Sequence, residues 1–149
     1  MIASLRRICG DVAGTAAIET AIVAPILMTL SLGAYEISKV VARQSELQSA
    51  AEQATEISLA STPDTAEEAL QIERILVDST GLDDSQIDVD LRYRCAAADT
   101  LTTSAGTCDE DELSTFVRIV MRDTYTPVWT EYGVGDNFTF LVERTVQVS

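Results

Sequence analysis

The stretch GTAAIETAIVAPILMTLSLGAYEISKVV, residues 14–41, decides how the rest of the chain is read. Glu19 is the single charge between Asp11 and Glu36, and the 16 residues from Thr20 to Tyr35 are apolar or small. A carboxylate at the mouth of such a run is costly in lipid unless something meets it. Ala16 to Tyr35 would rise about 30 Å as a helix, the thickness of a bilayer's hydrocarbon core. Without its first turn the run rises only about 24 Å. The helix is therefore expected to continue through Val40 and Val41, with Lys39 and Arg43 snorkelling to the interface. Pro25 lacks an N–H and crowds the carbonyl of Ala21, so a kink or local unwinding is expected there.

Composition narrows the function. The 149 residues include 24 acidic and 10 basic side chains and no histidine, a net charge of −14. Such a chain repels nucleic acid, which excludes a nucleic-acid role. Arg6 and Arg7 stand against Asp11 in the first 14 residues, and the remainder holds all of the acidic excess. A basic head, an apolar run and an acidic remainder outline a chain delivered to a membrane. The arginines before the run and Lys39 and Arg43 after it nearly balance, so charge alone does not orient the span. Cysteine usage does. Cys95 and Cys108, 13 apart, suit one disulfide in an oxidising compartment, which places the C-terminal side outside the cytoplasm. The competing reading is two reduced cysteines in a cytosolic domain; a CxxC zinc pattern is absent.

Past the span, Val40, Leu47, Ala50, Ala54 and Ile57 recur at helical spacing, so the first helix should reach about Ala60 and pack this stripe on its own domain. Thr62-Pro63 reads as the N-cap and first residue of a second helix, although Thr65 and Glu68 have capping-box spacing and allow a start three residues later. Ala69, Ile72, Ile75 and Leu76 form its expected apolar face, and Gly81 its stop. The period then changes to two. Ile87, Val89, Leu91, Tyr93 and Cys95 alternate with charged residues, and 116–126 and 138–148 read as two further strands. The expected fold is α+β: a long apolar N-terminal helix, a second helix, and a small three-stranded antiparallel sheet with a disulfide-closed loop. Asp109 to Glu112, and Asp83 and Asp84 with Asp88, are solvated acidic runs rather than calcium loops, lacking spaced ligands and a turn glycine. With no histidine, hydrolase elbow, P-loop or dinucleotide fingerprint, a structural component is expected, not an enzyme, without cofactor or metal.

Gly14-Thr15-Ala16-Ala17-Ile18-Glu19 resembles the prepilin signal of type IV filament systems: a basic leader, a glycine before the cut, and glutamate fifth in the mature chain. More narrowly, Ile18-Glu19, Pro25, Glu36 and Lys39 occupy places that resemble those of the TadE-like proteins of tight-adherence (Tad, or Flp) pilus machines. Tyr125-Thr126-Pro127 resembles that family's Tyr-x-Pro stretch, while Thr20 departs from its common phenylalanine. The resemblance implies a leader (1–14) removed between Gly14 and Thr15 by a prepilin peptidase, an assembly helix (15–60), and a periplasmic domain (61–149). It implies that Glu19 meets the new N-terminal ammonium of a neighbouring subunit. It also implies a pseudopilin or minor pilin in the inner membrane, partnered by other Tad pilins, the assembly platform and the lipid bilayer. The rival is a permanently anchored periplasmic binding or sensor module that keeps residues 1–14.

Overall fold

The computed structural model describes residues 12–96, 98–106 and 112–149. They fall into two compact units, one ending at Lys39 and the other spanning Val40–Ser149. Helix α1, Val12–Ser61, contributes to both, so the unit boundary lies inside the helix and not after it.

In the first unit α1 is apolar and uncovered. Ile22, Leu27, Met28 and Leu30 all face outward, Met28 with 73% of its surface exposed. Among the described residues this is the one helix long and apolar enough to cross a membrane. The helix continues through Pro25, so the local unwinding expected there is not a break in it. Proline removes one donor, leaving the hydrogen bonds of the turns on either side intact. The hydroxyls of Thr20 and Thr29 donate to the carbonyls of Ala16 and Pro25, each at 2.8 Å, which satisfies their polar groups inside an apolar run.

In the second unit the remainder of α1, helix α2 (Ala66–Thr80) and strands β1 (Ile87–Cys95), β2 (Leu113–Tyr125) and β3 (Phe138–Gln147) enclose one core. The sheet is antiparallel in the order β1-β2-β3, with Ile87, Met121 and Val142 in one cross-strand row and Leu91, Val117 and Val146 in another. These rows, with Leu47, Ala51 and Ala54 of α1 and Ile72 and Leu76 of α2, form the core. The alanine stripe of α1 thus packs on its own domain.

The outer sheet face is charged, as alternation predicts. Arg118 Nε donates to Glu143 Oε1 at 2.7 Å, Arg92 pairs with Asp90, and the Arg94 guanidinium lies 5.0 Å from the Phe116 ring centre. The Arg118 partner holds the Glu143 carboxyl below its usual value. Val120 departs from the pattern: on this wet face, between Asp88 and Glu143, it is 1% exposed.

Two local expectations shift. Thr62 does not cap α2; it closes α1, with φ of 44° and its N–H donating to the Ser58 carbonyl at 2.9 Å. Helix α2 therefore starts three residues later, where Thr65 Oγ1 accepts from the Glu68 N–H at 3.3 Å. The Glu68 carboxylate reaches back to the Asp64 N–H at 3.0 Å, and this bond lowers its pKa. At the other end Gly81, φ 67°, takes the left-handed position that glycine adopts without a Cβ clash. Ile75 is exposed, while Thr80 takes the buried place at the end of the apolar stripe through a 2.7 Å bond to the Leu76 carbonyl.

Candidate functional site

The residues singled out by sequence lie along α1. Gly14 and Thr15 are exposed and helical. Glu19 is exposed beside a shallow groove shared with Thr20, Val23, Ala24 and Leu27. No hydrogen bond or ion pair reaches its carboxylate among the described residues. It lies at least seven residues into α1, where the helix dipole, felt mainly in the first turn, is weak. A charge so placed on an apolar, uncovered helix is available to a partner outside the chain.

Further along, the Lys39 ammonium stands 4.8 Å from the Tyr35 ring centre, an amphipathic pair at the end of the apolar run. Glu36 differs from every other side chain of the run: it is 1% exposed, the most buried carboxylate among the described residues.

Arg43 does not snorkel to an interface. Its Nε donates to Asp123 Oδ2 on β2 at 2.6 Å, and its Nη1 to Glu46 Oε2 at 2.9 Å and to the Thr80 carbonyl at 3.2 Å. Gln86 Nε2 reaches the other Asp123 oxygen at 3.5 Å. Burial pulls the Arg43 pKa down, but its bonds to Asp123 and Glu46 outweigh this and leave it above the usual guanidinium value. One side chain thus joins the start of the stalk, the end of α2 and the central strand. The signal was present in the sequence: Arg43 stands four residues before Leu47, on the same helix face as the buried stripe.

Cys95 ends β1, half-buried, where the Ala96 N–H donates to the Glu112 carbonyl at 2.9 Å and closes the base of the following loop. Cys108, Asp109, Glu110 and Asp111 lie outside the described residues, as do Arg6, Arg7 and Cys9. Among the described residues no cluster of three acidic or cysteine side chains is placed to hold a metal ion.

The exposed apolar helix, its partnerless Glu19, Pro25 within it, the buried Glu36 and the stalk stripe from Val40 onward follow one another along a single helix. Residues 14–56 match the TadE-like protein family. The TadE-like segment begins at Gly14 and covers the apolar run and most of the stalk, including Arg43 and the alanine stripe. The strands lie beyond it. No curated protein and no solved structure matches the chain. The match lies on the one helix among the described residues that is long and apolar enough to cross a membrane.

Proposed function

We propose that the chain is a pseudopilin or minor pilin of a Tad pilus, made with residues 1–14 as a cytoplasmic leader and cut after Gly14 by a prepilin peptidase. The mature protein starts at Thr15, sits in the inner membrane by its TadE-like segment with the sheet domain in the periplasm, and joins other pilins and the assembly platform through that segment. It is a structural component and the substrate of the peptidase. The observation that carries this reading is the TadE-like match opening at Gly14, followed by an uncovered apolar helix whose one membrane-depth carboxylate has no partner among the described residues.

N-terminal sequencing of the membrane-bound protein tests it, with Thr15 expected first. Recovery of residues 1–14 in cells with an active prepilin peptidase would support a permanently anchored module instead. A Cβ at Gly14 meets nothing within 4 Å, so Gly14→Val leaves the protein's own packing undisturbed. Its expected effect is loss of processing, through crowding at the peptidase, with the sheet domain's melting temperature unchanged.

The periplasmic placement is tied to a Cys95–Cys108 disulfide. Cys95 ends β1 at the base of a loop that the Ala96 N–H closes on the Glu112 carbonyl, and a partner within that loop fits this base. In the chain-entropy account a loop of about 14 residues contributes about 3 kcal/mol. Cys95→Ser is expected to lower the melting temperature accordingly. Two free thiols at positions 95 and 108, found by mass measurement under non-reducing conditions, would refute the pairing.

A further inference from the structure

Within the second unit, four chain segments meet at one end. The first turn of α1 within this unit meets the end of β2 through Arg43 and Asp123 and the end of α2 through the Thr80 carbonyl, and Gln86, just before β1, bonds the same aspartate. This is the end at which the chain enters the unit, at Val40. Helix α2 and strand β2 both run toward it. Beyond Asp123, β2 continues two residues to Tyr125, about 6.8 Å further, whereas Val40 lies about 4.5 Å before Arg43 along the helix. The loop 126–137, TPVWTEYGVGDN, therefore starts level with Val40 or past it.

That loop is apolar where a solvent-facing loop should be polar. Val128, Tyr132 (78%) and Val134 (62%) are exposed, with Phe138 and Leu141 (62%) following on β3. These five are half of the exposed large hydrophobics among the second unit's described residues, and such concentration on one end marks a contact surface. The presentation is built. Val128–Tyr132 is a 3-10 turn closed by Gly133 at φ 75°. Gly135, φ 73°, passes so near the indole that a Cβ would stand 3.3 Å from Trp129 Nε1, so no other residue fits without moving the ring. The turn holds Trp129 half-buried and turns Tyr132 and Val134 outward.

The geometry points to a lipid surface as the occupant: the 126–137 loop rests on the bilayer, with Trp129 and Tyr132 at headgroup depth. This rests on the reading that the TadE-like helix spans the membrane, since only then is there lipid near the point where the chain enters the unit. Tryptophan and tyrosine favour that interface because each has an apolar body and a polar tip. Glu131 and Asp136 in the loop, with Asp83 and Asp84 at the same end, rule out electrostatic attraction to anionic headgroups as the driving force. The contact is apolar, so zwitterionic lipid should suffice.

Trp129 is the only tryptophan in the chain and therefore reports on the loop directly. The full-length protein is reconstituted into phosphatidylcholine vesicles with plain or brominated acyl chains, and flotation and Trp129 emission are measured. The expected result is co-flotation, with emission in brominated vesicles lowered by about twofold or more. Tyr132→Asp combined with Val134→Asp, both exposed positions, should co-float equally and lose the lipid quenching. Co-flotation with emission quenched by aqueous iodide but not by brominated lipid overturns the loop contact and leaves the span reading standing. Shielding from both quenchers overturns it in favour of a neighbouring copy. Failure to co-float overturns the span reading and the loop contact together.

Discussion

Glu19→Gln is expected to lower piliation by more than about a hundredfold while leaving leader removal and inner-membrane abundance at wild-type levels. The carboxylate is exposed on an apolar helix with no partner among the described residues. At the centre of a bilayer such a charge costs about 2.5–3.5 kcal/mol, and less toward the end of the span. In the proposed function, cutting after Gly14 would create an ammonium at Thr15, four residues away along the helix, and a neighbouring subunit's ammonium would compensate the carboxylate once the two helices were packed. Removing one side of a buried pair costs about 3–5 kcal/mol, because the remaining charge is left in a low dielectric. Processing and insertion do not use the pair. If Glu19 served only the helix dipole, the substitution would cost a few tenths of a kcal/mol at most. The measurement compares processing, membrane abundance and pilus number for the two proteins in one strain. Normal piliation by Glu19→Gln would leave the residue a bystander.

Asp123→Ala is the second large effect. Arg43 and Asp123 are 23% and 16% exposed, and each is the other's nearest opposite charge. Losing hydrogen bonds to a charged group in this setting costs about 2–3 kcal/mol, about 10–15 °C in the melting temperature of a domain of this size. Arg43→Ala should match it, with a small addition from the lost Thr80 carbonyl bond. The double substitution should cost clearly less than the sum, because the two singles remove one shared interaction. Circular dichroism melts of the full-length chain in detergent decide this. An arginine lying in the headgroups predicts something else, namely unchanged melting with a shifted helix depth.

Much of the architecture was legible locally. The apolar run from Thr20 to Tyr35 identifies α1 by composition alone, since a helix satisfies its own backbone and needs no neighbour to be recognised. The alternation from Ile87 to Cys95 identifies β1, because every second residue meets the same face. Gly81 marks the end of α2 through its freedom at positive φ. Where two local rules competed, sequence left the outcome open. Thr62 and Thr65 are both N-caps by type, and Thr65 prevailed because the left-handed close of α1 consumed Thr62.

Local patterns were enough to identify the elements and the TadE-like segment, and to single out Gly14, Thr15, Glu19, Pro25 and the cysteines as candidates. Only the tertiary structure decided that Arg43 serves the domain rather than the membrane, that Glu36 is buried within an exposed run, and that Ile75 faces out while Thr80 faces in. It also decided that the Trp129 loop lies at the end where α1 arrives. The reason is one of range. Helical and strand periodicities arise from neighbours a few residues apart, whereas the partner of Arg43 lies 80 positions away and is set by the packing of the whole domain.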